Sequence, residues 1–193
     1  QPFLKYVHRL RSINDCVVVG IETVLADDPK LNVRFVRGRD PIPVVVDSTF
    51  RIPSKAHILE SSSRRKPIIA TTSKADRSKI SSLEKLGARV LMVEENAEGQ
   101  VDLSKLMERL GAMGLTSVLV EGGSRIITSL LKEGLVDKLV ICIAPKILGR
   151  GLEAIGDIGI TRIDDAIRLS ESTVKRMGDD LILEARISFA PES

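Results

Sequence analysis

Three polar stretches in this sequence follow directly on apolar, β-branched runs, and they carry the residues whose spacing could support chemistry. In VLVEGGSRIITSLL, residues 118–131, the apolar run stops at Glu121, two glycines follow, and a helical pattern begins near Ser124. Gly122 and Gly123 permit a tight turn with no Cβ to hold a ligand away, and the first N–H groups of the helix have no partner within it. Such a junction suits phosphate or another anion. It equally suits a plain turn with Ser124 as helix cap. The G-x-G-x-x-G and Walker A spacings are absent. Glu121, at the C-terminal end of a buried strand, could accept hydrogen bonds from sugar hydroxyls or a pyrimidine amino group. It could also simply pair with an arginine such as Arg125.

The second stretch is GIETVLADDPKLNVR, residues 20–34, in which Thr23, Asp27, Leu31 and Arg34 recur at near-regular spacing. Loops held by rigid strands concentrate function. A carboxylate there could bind ribose hydroxyls, and an arginine could grip a phosphate in a bidentate pair. An Asx-type turn at Asp28-Pro29 with solvated charges fits the same pattern. The third stretch is VVVDS, residues 44–48, again a strand with polar residues at its exit. Arg11, on the polar side of the first helix, is a fourth candidate. Each of these last two also fits a structural role.

No catalytic triad or metal cluster is legible. The two cysteines, Cys16 and Cys142, lie in apolar runs and read as buried, reduced thiols. The two histidines, His8 and His57, share no familiar zinc spacing with them. A reducing compartment, the cytosol, is expected. Net charge over the 193 residues is only +3, with no long basic block, no Trp, one Tyr and four Phe. Nucleic acid is therefore a poor partner and a small multiply phosphorylated ligand a better one. No apolar run approaches the ~20 residues of a membrane span, and residues 1–11 lack the apolar segment of a secretory signal.

The elements that must position these residues alternate. The spacing predicts a helix over residues 3–11, a strand over 16–20, a loop with one helical turn over 21–34, and a strand over 43–48. A polar loop is expected at 61–66. Strands are then predicted at 67–72, 88–93, 116–123 and 138–144. Helices are expected at 77–86, from an Asp102 cap through 113, and at 124–132. Segments 167–175 and 181–189 flank a turn and read as an antiparallel hairpin finishing the sheet. The whole predicts one α/β domain with a largely parallel core sheet.

The blocks HRLRSINDCVVVGIETVLADDPKLNVR, PVVVDSTFRIP, SVLVEGGSRIITSLLKEGLVDKLVICIAPKILG and RMGDDLILE together resemble the reductase domain of riboflavin biosynthesis. That domain forms the C-terminal part of bifunctional deaminase–reductases and also exists as stand-alone pyrimidine reductases. The resemblance runs in order from about His8 to Glu184. It implies a dihydrofolate-reductase-like three-layer fold: a mixed, mostly parallel sheet flanked by helices, with a C-terminal antiparallel hairpin. It implies NADPH as hydride donor, a phosphorylated ribosylaminopyrimidine as substrate, and a homodimer. It implies cofactor-binding roles for Thr23, Asp27, Val46, Asp47, Ser48, Thr49, Gly122, Gly123, Ser124, Arg125, Ile126, Ile127, Thr128 and Ser129. Arg11, Leu31, Arg34 and Glu121 resemble the substrate-binding set, the two arginines suiting a 5′-phosphate.

The chemistry implied needs orientation rather than a nucleophile or metal, because the hydride belongs to the cofactor. No proton donor is identified, which leaves solvent or a substrate group. The sequence departs from the family at Glu22 (usually Gly), Asn32 (usually Thr) and Ser124 (frequently Gly or Pro). The family's initial strand and loop, before the helix carrying His8, are not in the sequence, so residues 1–193 are expected to form a single reductase domain without them. The deaminase motif, His-x-Glu with Pro-Cys-x-x-Cys, is also absent from it. Two rival readings are a reductase of the same fold acting on a pterin or folate, and a non-catalytic nucleotide-binding or dimerisation module.

Overall fold

The computed structural model describes residues 2–60, 65–149 and 151–188. Positions 61–64 of the expected polar loop, and Phe189 at the end of the expected hairpin, lie outside the described residues.

The chain opens with helix α1 (Pro2–Ile13) and strand β1 (Cys16–Gly20), followed by α2 (Ile21–Asp27) and β2 (Ile42–Val46). Next come α3 (His57–Glu60), β3 (Ile68–Thr71), α4 (Arg77–Lys85), β4 (Arg89–Met92) and α5 (Leu103–Ala112). Then follow β5 (Val118–Val120), α6 (Ser124–Lys132), β6 (Lys138–Ile143), β7 (Arg168–Met177) and β8 (Asp180–Ser188). The α2 segment, expected as a loop with one turn, is a seven-residue helix. The four-residue α3 was not expected. Its first N–H is held by the Asp28 carboxylate at 2.8 Å, a partner 29 residues away that no local pattern reveals.

Five strands form a parallel sheet in the order β4-β3-β2-β1-β5. All five residues of β1 are buried, because strands flank it on both sides and helices cover both faces. That is why CVVVG shows no alternation of polarity. Successive side chains still alternate between two cores. Val17 and Val19 join Val45, Ile69, Val24 and Phe50 on one face. Cys16 and Val18 join Val44, Ile68, Leu106 and Leu110 on the other. Helix α5 contributes Leu103, Leu106 and Leu110, one buried stripe at helical spacing, and the Asp102 carboxylate caps it by accepting from Lys105 N at 3.0 Å.

The expected C-terminal hairpin is present as β7 and β8, but it does not finish the parallel sheet. Together with β6 it forms a separate antiparallel sheet, ordered β6-β8-β7. Strand β6 pairs with β8 from Lys138↔Arg186 to Ile143↔Leu181. The expected α/β class stands, with the antiparallel strands set apart. Cys16 is buried and free as expected, whereas Cys142, on this outer sheet, is only half-buried. Among the described residues no helix is long and apolar enough to cross a membrane.

Candidate functional site

The strand order fixes where a ligand belongs. From β1 the chain works outward through β2, β3 and β4, then returns to β1's other side as β5. At that reversal, loops leaving the C-terminal ends of β1 and β5 diverge, and open α/β sheets bind ligands in the resulting crevice. The residues leaving β1 are Gly20 and α2; those leaving β5 are Glu121, Gly122 and Gly123.

Both glycines have positive φ, 69° and 82°, a conformation that side-chain-bearing residues rarely adopt. Thr23 Oγ1 lies 3.6 Å from where a Cβ on either glycine would stand. Gly20 is tighter: a Cβ there would come within 3.1 Å of Ile126 Cδ1. The starts of α2 and α6 are thus packed against each other at the crevice. Thr23 and Asp27 stand one turn apart on α2, hence on one face. Asp27 is exposed, and Gly122 is exposed too.

Helix α6 begins at Ser124 with Gly123 as its cap and no side-chain hydrogen bond to its first N–H groups. Ser124 is therefore the first helical residue and not the cap, which leaves unpartnered donors directed at the bend. Farther along, Thr128 Oγ1 donates to Ser124 O at 2.7 Å and accepts from Gly156 N at 2.8 Å. Its hydroxyl is engaged within the protein and ties the segment after β6 to α6. A cleft beside α6 is lined by Val46, Ser48, Asn96, Gln100, Arg125 and Ser129. Ile126 joins that lining, and Ile127 N closes the first helical turn onto Gly123 O at 3.2 Å. The cleft thus gathers candidates from two distant stretches and adds Asn96 and Gln100, which no sequence pattern had marked.

The exit of β2 is a built turn. Asp47 is fully buried; its Oδ2 accepts from Ile52 N at 2.8 Å, while Oδ1 has no partner. Ser48 Oγ accepts from Val101 N at 3.0 Å, and Thr49 is exposed. Asp47 is therefore first a turn-former, and Ser48 a link to the turn before α5.

On the other side of the crevice, Glu121 is held by Arg11. Nε and Nη2 of Arg11 donate to the two carboxylate oxygens at 2.7 and 2.5 Å, a fork-to-fork pair. Arg11 Nη1 also donates to Asn32 O at 3.1 Å. Three of the guanidinium's five N–H donors are thus committed, leaving two. Glu121's partner is Arg11 rather than Arg125, and the charges of two substrate-binding candidates cancel each other. Leu31 is in the core at 2% exposure with φ 49°, so only its main chain can meet a ligand. Arg34 is exposed, and no ion pair involves it among the described residues. Burial, reinforced by the positive charges of Arg11 and Arg34, pushes the pKa of nearby His8 down and keeps the imidazole neutral at physiological pH.

The chain matches the family model of the RibD C-terminal domain over residues 2–183. It is 36% identical over 180 residues to the riboflavin biosynthesis protein RibD of Aquifex aeolicus, covering 93% of this chain and 48% of that protein. It is 39% identical over 187 residues to the 2,5-diamino-6-ribosylamino-4(3H)-pyrimidinone 5′-phosphate reductase of Methanothermobacter thermautotrophicus, covering 94% of this chain and 83% of that one. Among solved structures it superposes on Acinetobacter baumannii RibD with a TM-score of 0.82 and 25% identity, over 97% of this chain and 51% of the other. The riboflavin biosynthesis reductase Rib7 of Saccharomyces cerevisiae gives a TM-score of 0.76 at 25% identity, over 97% and 81%. The chain spans about half the length of the RibD proteins it matches.

Proposed function

The chain belongs to the RibD C-terminal domain family, and on that premise we propose that it reduces the ribosyl group of a phosphorylated ribosylaminopyrimidine to the ribityl form with NADPH. Bound here, the dinucleotide would supply hydride for C1′ of the ring-opened ribose imine, the proton for its nitrogen coming from solvent or a substrate group. The observation that carries this reading is the bend at Gly122 and Gly123, open beside Thr23 and leading into an uncapped helix at the sheet's switch point.

The protein's part is binding and orientation. The free N–H groups at the start of α6 fit the pyrophosphate, with a favourable helix dipole behind them. Thr23 and Asp27 flank it from α2, Asp27 suiting ribose hydroxyls. The cleft lined by Val46, Ser48, Arg125 and Ser129 takes the far end of the dinucleotide, with buried Asp47 holding the turn that carries Ser48 and Thr49. On the substrate side, Arg34 is the cation for the 5′-phosphate. The Arg11–Glu121 pair presents two leftover N–H donors and the carboxylate's remaining lone pairs to the pyrimidine and sugar. With Arg11 neutralised, the case for a phosphorylated substrate over a pterin or folate rests on Arg34.

Residues 1–193 act as one reductase domain, and its partner is a second copy. Ile147, Leu148, Leu152 and Ile163, in the segment between β6 and β7, are 86–104% exposed, a concentration of bare apolar surface that suits a subunit contact. The free thiols suit a reducing compartment, the cytosol.

The test is NADPH oxidation followed at its near-ultraviolet absorbance, with the diaminopyrimidine and the deaminated pyrimidinedione each offered as the ribosylamino 5′-phosphate. Turnover of one or both is expected, and dihydrofolate should not replace them. Failure with both would overturn the reading.

A further inference from the structure

Helix α1 buries a single residue, His8, at zero exposure. Its Nδ1 accepts a hydrogen bond from the main-chain N–H of Arg34 at 2.9 Å. The ring also meets Phe35 edge-on, with centroids 4.7 Å apart and planes at 84°. The Arg34 guanidinium in turn lies over the Phe35 ring, 5.8 Å from its centre. Two neighbouring contacts complete the arrangement. Arg11, three residues on and hence on the same face of α1, holds Asn32 O. Asp40 Oδ1 accepts from Val33 N at 2.7 Å. Three consecutive residues of an irregular segment therefore have their main chain fixed by three different side chains.

We propose that His8 is a positioning residue for Arg34: through the Arg34 N–H and the Phe35 ring it sets where that guanidinium stands, and so the enzyme's preference for a 5′-phosphate. The inference rests on the reductase function proposed above, and it concerns a buried side chain that acts through the two residues it contacts. Its chemistry is specific. A neutral imidazole with Nδ1 as acceptor offers one lone pair to Arg34 N and a flat ring for the edge-on contact with Phe35. An aliphatic side chain offers neither, whereas the Oδ1 of an asparagine falls close to the place of Nδ1 and restores the hydrogen bond. An anchored arginine matters because displacement of a binding group by about 1 Å can cost about 100-fold in rate.

The experiment compares the wild-type protein with His8→Leu and His8→Asn by two readouts. The first is the ratio of kcat/KM for the phosphorylated substrate to that for its dephosphorylated counterpart. His8→Leu is expected to lower that ratio about 10-fold through KM, with the KM for NADPH unchanged, and His8→Asn to recover most of it. The second is amide hydrogen exchange at Arg34 by NMR, which should speed up about 10-fold in His8→Leu and return towards wild type in His8→Asn. In an active wild-type protein, a parallel loss for both substrates and for NADPH marks a merely structural histidine and overturns the proposal. Unchanged exchange at Arg34 overturns it as well. A wild-type protein that reduces neither pyrimidine overturns the function itself, and with it the positioning role of His8.

Discussion

At the level of single residues, Glu121 and Gly123 carry separable burdens. Glu121 neutralises an arginine that is only 11% exposed, so Glu121→Gln leaves a largely buried charge without its counterion. We expect a stability loss of about 1–3 kcal/mol in chemical denaturation, together with a raised KM for the pyrimidine. NADPH affinity should hold, since both carboxylate oxygens of Glu121 are engaged by Arg11. Gly123→Ala should behave in the opposite way. Its added Cβ meets nothing closer than 3.6 Å, so the cost is that of φ 82° alone, about 1–2 kcal/mol. The methyl group would project at the bend itself, and titration calorimetry should show NADPH binding weakened more than the substrate. Both residues were legible as candidates, since a carboxylate and two glycines after an apolar run are unusual. The pairing of Glu121 with Arg11 was not, because 110 residues separate them and either arginine, 11 or 125, satisfied the local pattern.

At the level of elements, one carboxylate reinforces the backbone pairing of β1 with β5 at its start. Asp15, just before β1, accepts from the N–H groups of Thr116 and Ser117 and from both their hydroxyls, at 2.9–3.2 Å. Those hydrogen bonds favour the ionised form and hold its pKa at about 2, against an ordinary 3.8. A group whose pKa is depressed by folding contributes fully above its unfolded value and loses that contribution as pH falls through the folded one. Stability should therefore decline between pH 3.8 and about 2. Asp15→Asn should flatten that decline when denaturant midpoints are followed with pH. It should not abolish it, because Glu184 is also held at about 2, chiefly by Lys138 and by Tyr6 of α1. Asp15 stood in the sequence as an unremarked loop residue; its partners lie 101 and 102 positions away.

At the level of the whole molecule, cofactor and partner can both be tested without substrate. NADPH that binds only the folded chain should raise its melting temperature by about 5–10 °C at ~100 times Kd, with a much smaller rise from NADH. Light scattering should return the mass of two chains at micromolar concentration. Replacing Ile147 and Leu152 by Asp, both fully exposed in the single chain, should shift that mass to one chain with little change in melting of the monomer. A wild-type protein that scatters as one chain would leave the bare apolar segment after β6 without the role proposed for it.

Local pattern determined which segments became strands and helices wherever a residue's neighbours in sequence decide its environment. The unbroken CVVVG run can only be a strand covered on both faces, the leucines at 103, 106 and 110 can only be one buried stripe, and paired glycines after a strand can only turn. The parallel sheet also follows from strand–helix alternation, but the crevice between β1 and β5 depends on the strand order, which the tertiary structure decided. What only the tertiary structure decided involves partners far apart in the chain: Arg11 on Glu121, Asp15 on Ser117, His8 on Arg34, and the separation of the last two strands from the parallel sheet. Those depend on which surfaces meet after collapse. Charge pairing and sheet-edge choice are set by proximity in space, and a linear pattern of residue types carries no record of it.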